Sequence, residues 1–121
     1  MIRLAACKVF GACSKFATEE DLWNILDAAI LVPGPTPESR QGQMAALKGI
    51  AEHANDRPAV EDKRGDIVNH IAGYISVENK LDVQRMAAEA AASFVMTGSP
   101  EDPTAKKLLE VLASSMEENR I

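Results

Sequence analysis

The chain has 121 residues, of which 46% are hydrophobic, 26% charged and only 4% aromatic, and it carries a formal net charge of −5. That length leaves room for one domain with a modest core and none for a second. The acidic balance excludes a general nucleic-acid binder, which needs a basic surface to displace counterions from phosphates.

The first stretch, "MIRLAACKVFGACSKF", has two readings: a lipid-anchor signal around "LAAC", or a helix. Only Leu4, Ala5 and Ala6 separate Arg3 from Cys7, too few for the roughly 7 to 15 apolar residues of a signal-peptide core. No other run approaches the roughly 18 apolar residues of a membrane span. A helix over about residues 2–16 is therefore expected, with Ile2, Ala5, Ala6, Val9, Phe10 and Cys13 inward, in a cytoplasmic protein with no membrane partner. Cys7 and Cys13, six apart, point about 240° away from one another on a helix and share neither a disulfide nor a metal. They read as small buried apolar residues in a reducing compartment.

Thr18 with Glu19, Glu20 and Asp21 supplies a hydroxyl cap and an acidic first turn. A second helix thus runs to about Leu31 with Leu22, Ile25, Leu26 and Ala29 inward, and "VPGPTP" stops it. Thr36 followed by Pro37 opens a third helix to about Asn55, inward through Met44, Leu47, Ala51 and Ala54. A fourth spans about Ala59 to Ser76, with Val60, Ile67, Ile71 and Tyr74 or Ile75 inward and Gly65 weakening its first half. The fifth, about Leu81 to Met96, carries Val83, Ala87, Ala90, Ala91 and Phe94. "TGSPEDP" ends it with turn residues and a fresh Ser or Asp cap, and a sixth from about Pro103 carries Ala105, Leu108, Leu109, Leu112 and Met116. The expected fold is all-α, with about six helices.

The odd helices resemble one another. "IRLAACKVFGAC", "SRQGQMAALKGIA" and "VQRMAAEAAASF" begin 37 and 44 residues apart, each with small residues where a helix approaches its neighbours. Two helices per unit at that period match HEAT or armadillo arrays. "DVQRMAAEAAA" is similar to the second helix of a HEAT unit through Asp82, Val83, Ala87, Ala88 and Ala90, and "IRLAACKVFG" through Ile2, Arg3, Ala6, Val9, Phe10 and Gly11. In "SRQGQMAALKG", Arg40, Ala46 and Leu47 match while Gly49 falls one place late. The resemblance implies a right-handed α-solenoid of antiparallel helix pairs. Residues 1–17 would be the second helix of one unit, 18–56 and 57–97 two complete units, and 98–121 the first helix of another, as in a piece of a longer array.

A closer resemblance covers about residues 10 to 115. The order "GACSKFATEEDLWNILDAAIL", "ESRQGQMAALKGIA", "DRPAVEDKRGDIVNHIAGYIS", "DVQRMAAEAAASFV" is similar to the C-terminal HEAT region of the ribosome-associated translational activator of general amino-acid control. The resemblance implies a protein-binding scaffold that engages the RWD domain of the kinase acting on initiation factor 2. The kinase is thereby activated on stalled ribosomes, and other parts of a longer parent protein contact the ribosome. Gln43 departs from the family, many members of which carry a basic residue there. The leading alternative is a HEAT scaffold of an unrelated assembly, such as a transport receptor or a phosphatase regulatory subunit; a small helical enzyme comes third.

Catalytic chemistry finds no foothold in the sequence: no phosphate-binding Gly-rich loop, no paired Cys/His ligand spacing and no Ser-His-Asp arrangement occur, so no catalytic residue, metal or cofactor is expected. His53 and His70 read as solvated or structural, and Glu19, Glu20 and Asp21 as capping acids. The partner-binding candidates are Arg40, Lys48, Arg64 and Trp23, with Tyr74 a second rare aromatic and "VPGPTP" a weaker candidate. Arg40 has two readings, a tie between adjacent units or part of a partner-facing surface with Lys48 and Arg64. A several-degree loss of melting temperature in Arg40→Ala marks the first.

Overall fold

In a computed structural model of the chain, residues 2–78, 80–98 and 101–117 are described, with side chains from residue 6 onward. Among these residues the chain is all-helical: α1 (Ile2–Cys13), α2 (Glu19–Ile25), α3 (Pro37–His53), α4 (Pro58–Ser76), α5 (Leu81–Thr97) and α6 (Pro103–Glu117). A 3-10 turn (Ser14–Phe16) follows α1, and a π turn (Leu26–Ile30) prolongs α2. No described helix is long and apolar enough to cross a membrane.

The helix starts follow from the local chemistry. Thr18 Oγ1 accepts the Asp21 N–H at 3.1 Å and Thr36 Oγ1 that of Ser39 at 3.1 Å, each filling an orphan donor of a first turn. Asp102 does the same ahead of α6, its Oδ1 accepting from the Thr104 N–H at 2.9 Å and hydroxyl at 2.7 Å. Ser99, the other expected cap, lies outside the described residues.

The helices make two interleaved series of contacts. α1 lies against α3 and α3 against α5, while α2 lies against α4 and α4 against α6; α5 also meets α4 and α6. Between the series sits one core, with Leu22, Leu26, Met44, Leu47, Ile50, Ile67, Ile71, Ile75 and Leu108 fully buried. Each such side chain contributes about 1.5–3 kcal/mol by leaving water. The inward faces expected for α3 and α5 are the observed ones.

α1 departs from expectation. Ala6, Val9 and Cys13 are exposed, Val9 by 62%; of the expected face Phe10 does pack inward, joined by Cys7, Gly11 and Ser14, while Ile2 and Ala5 lie outside the described side chains. Backbone proximity overrides hydrophobic patterning here. A Cβ on Gly11 would come within 2.9 Å of the Gly49 Cα, and one on Gly42 within 3.0 Å of the Cys7 sulfur. Only paired glycines allow α1 and α3 to cross so closely, which accounts for a glycine one place late in the repeat pattern. Consequently Cys7 is half-buried and Cys13 exposed, contrary to the expected burial of both. On α6, Ala105 and Leu108 are buried as expected, whereas Leu109 and Met116 face outward, and on α2 Ala29 is exposed.

Candidate functional site

An apolar groove of about 400 Å³ opens between α1, the π turn and α3. Cys7 and Phe10 form one wall, Ala28 and Ala29 another, Gly42 and Ala46 line α3, and Val32, Pro33 and Pro35 of "VPGPTP" close the end. No charged side chain lines it among the described residues. Gln43 stands at its edge, buried.

Behind the groove Gln43 organises a polar network. Its Nε2 donates to the carbonyls of Ala29 at 3.3 Å and Val32 at 2.9 Å. Those groups only accept, so the amide orientation is fixed and Oε1 must receive. It receives the Tyr74 hydroxyl at 2.7 Å and His70 Nε2 at 3.1 Å, which places the proton of neutral His70 on Nε2. The Tyr74 oxygen in turn accepts the Gly34 N–H at 3.2 Å, and the two rings lie 4.6 Å apart. Burial holds His70 below its ordinary value of 6.5, against a bond to the Ile30 carbonyl, and burial raises the Tyr74 phenol above its own.

Arg40 extends the network to the turn after α4. Its guanidinium pairs with the buried Glu78 carboxylate and donates to the Gly34 carbonyl at 3.0 Å. Glu78 Oε1 also accepts the Lys80 N–H at 3.0 Å.

The other candidates fall elsewhere. Lys48 reaches from α3 to Glu89 of α5 at 2.8 Å, in an open trough shared with Lys8, Glu52 and His53, and the Glu89 bond raises its pKa. Arg64 donates to the Asn55 side chain at 2.8 Å and carbonyl at 2.9 Å, pairs with Glu61, and stands 4.0 Å from Asp102. Trp23 Nε1 donates to Asp62 at 2.7 Å while the Lys63 ammonium sits 4.0 Å above its ring. Arg40, Lys48 and Arg64 line three different clefts, and Trp23 sits on α2 against α4. They do not form one surface.

Two bridging side chains escaped the sequence reading. Gln43 stood out there only as a departure from a family pattern. The second, Arg57, donates to the carbonyls of Lys15 at 3.0 Å and Ala17 at 2.6 Å and pairs with Glu19. Glu19 also accepts the Ala59 N–H at 2.8 Å, and the Arg57 bond holds its carboxyl below the ordinary 4.5. The available signals were the two glutamines flanking Gly42 on α3, and His70 and Tyr74 four apart on one face of α4.

Most bonds that join successive helix pairs recur at one spacing, apart from those of Gln43 to His70 and Tyr74, 27 and 31 residues away, and of Arg64 to Asn55. Trp23–Asp62, Gly34–Tyr74, Arg40–Glu78, Lys48–Glu89, Asn55–Thr97 and Lys63–Asp27 span 36 to 42 residues. Among the described residues no group of three or more His, Cys, Asp or Glu is placed to hold a metal. Comparison with protein families, curated proteins and solved structures finds no match for this chain.

Proposed function

We propose that the chain is a HEAT-type α-solenoid segment, right-handed, that acts without catalysis as a protein-binding scaffold in the cytoplasm. The observation that carries this reading is the spacing shared by most bonds between successive helix pairs, 36 to 42 residues. That is the register expected when one two-helix unit repeats and each unit grips the next. Such an array holds its outer surfaces rigid, which lowers the entropic cost of docking another protein. Exposed Val9 and Phe16, and the apolar groove, are surface of the kind that protein partners cover.

The partner is the RWD domain of the general-control kinase, on the strength of the sequence resemblance over residues 10 to 115. Of the four candidate contact residues, Trp23 and Lys48 are the more open to solvent, since Arg40 and Arg64 are largely enclosed by their bonds within the chain. Titration calorimetry of that RWD domain into the intact chain should give micromolar binding, weakened by Trp23→Ala and Lys48→Glu. Absence of heat at tens of micromolar overturns the partner. Binding to a Ran-type GTPase or a phosphatase catalytic subunit instead assigns the scaffold to an unrelated assembly.

A further inference from the structure

The end wall of the groove, Val32 to Pro35, hangs on hydrogen bonds. Gln43 Nε2 holds the Ala29 and Val32 carbonyls, Tyr74 takes the Gly34 N–H, and Arg40 takes the Gly34 carbonyl. The Gln43 amide is itself steadied by two donors into Oε1, from Tyr74 and His70. Of these groups, His70 is the one whose ordinary titration falls near neutrality.

His70 is also the member of the network with a way out. It borders two surface clefts: one with Arg40, Tyr74 and Glu78, the other with Asp27, Lys63 and Asp66. Asp27 faces it from α2, already bonded to Lys63 at 2.8 Å, and Arg40 from α3, paired with Glu78. Lys63 and Asp66 share its own helix, and Lys107 of α6 reaches the neighbouring Asn69. Asp66 lies four residues before His70 on α4, the spacing at which a carboxylate best meets a cationic side chain on a helix surface.

We propose that His70 is a pH-operated latch on the prolyl wall of the groove. Neutral, the ring lies inward and donates to Gln43 Oε1. Charged, it gives up both Gln43 and the Ile30 carbonyl and turns outward to Asp66, where water and a carboxylate replace half-buried surroundings. Gln43 then keeps only Tyr74 on Oε1, its hold on the Ala29 and Val32 carbonyls loosens, and the wall from Val32 to Pro35 moves away from α3. The depressed pKa of the enclosed ring accords with this direction. The latch is a property of the chain itself and stands whichever protein occupies the scaffold.

The test is an NMR titration of the intact labelled chain from about pH 8 to about pH 5.5, across the ordinary range of histidine. It follows the His70 ring, the Gln43 side-chain amide and the Gly34 backbone amide. The three should move on one curve, with a midpoint below 6.5. Amide exchange at Gly34, corrected for its intrinsic pH dependence, should quicken by about tenfold for each unit the pH falls toward that midpoint and level off below it. His53→Gln should leave the response intact, His70→Gln should flatten it, and Asp66→Asn should shift the midpoint lower. Gly34 and Gln43 signals that ignore the His70 titration overturn the latch. So does a ring that stays neutral to the end of the range, or a response that survives in His70→Gln. Should His70→Gln fail to fold, the wild-type curves and Asp66→Asn still decide.

Discussion

The two sets of turns that connect the helices are fastened in opposite ways. The turns after α2 and after α4 are joined by a largely enclosed network in which Gln43, Tyr74, Arg40 and Glu78 satisfy one another. The turns before α2, α4 and α6 are joined by arginines that are themselves largely covered but whose carboxylate partners stand more open to solvent than Glu78. Arg57 bridges the first pair through the carbonyls of residues 15 and 17 and the Glu19 carboxylate, and Arg64 ties Asn55 and approaches Asp102. In the enclosed set, water cannot stand in for a lost partner, so removing one side chain strands several others. In the exposed set it can. The molecule thus has one set of joints that is costly to cut and another that yields to salt and solvent.

Cutting the enclosed set gives the largest effects. Arg40→Ala leaves the Glu78 carboxylate, whose side chain is only 5% exposed, without its guanidinium, and leaves the Gly34 carbonyl short of a donor. A loss of about 3 kcal/mol follows, or roughly 10 °C in Tm by thermal denaturation. An unchanged Tm would instead return Arg40 to a partner-facing role. Gln43→Leu fills similar space but strands two carbonyls and two donors at once. About 2 kcal/mol in urea unfolding is expected, less than for Arg40 because His70 and Tyr74 can turn toward the clefts they border.

The exposed set should respond more mildly, and differently to the solvent. Arg57→Ala removes two carbonyl bonds at the surface for about 1.5 kcal/mol. Part of that loss should vanish in 1 M salt, which leaves the Arg40→Ala loss unchanged. Acid separates the two sets further. A His70 pKa held below 6.5 means that the unfolded chain binds the proton first, so the stability His70 contributes is complete above 6.5 and drains as the pH falls beneath it. Glu19, held below 4.5, keeps contributing until the pH falls through its own lowered value. Urea midpoints at pH 7.5, 5.5 and 4 should therefore show two small steps, the upper one abolished by His70→Gln and the lower by Glu19→Gln.

What the sequence announced and what it withheld divide along the same line. Caps at Thr18 and Thr36, the helix order and the buried stripes of α3 and α5 are local, fixed by hydroxyls, prolines and apolar spacing that a linear reading exposes. The crossings of α1, α3 and α5 were visible through small residues, because close packing demands them wherever helices cross. The face that α1 turns inward was not visible. Hydrophobicity favoured Ala6 and Val9, whereas the contact between Gly11 and Gly49 turns the helix about a quarter turn further, so that Cys7 and Ser14 come inward beside Phe10. Gln43 and Arg57 were missed for a related reason: their partners are backbone carbonyls 11 to 14 and 40 to 42 residues away, and a carbonyl has no letter in the sequence.

Gly65 supplies the control that belongs to neither set of joints. It lies in the first half of α4, exposed, and a Cβ built there meets no atom within 4 Å. The residue therefore makes no close approach that requires glycine, unlike Gly11 and Gly49, and its cost is that of a flexible residue inside a helix. Gly65→Ala should raise stability by about 0.5–1 kcal/mol through the entropy of the unfolded chain. Because it alters α4 without touching Gln43, Arg40 or Arg57, its gain should add in full to the loss in Gln43→Leu and in Arg57→Ala alike. A double mutant in which the gain disappears only beside Gln43→Leu would show that the enclosed network senses the order of the whole helix. The contrast between the two sets of turns would then extend beyond the side chains that form them.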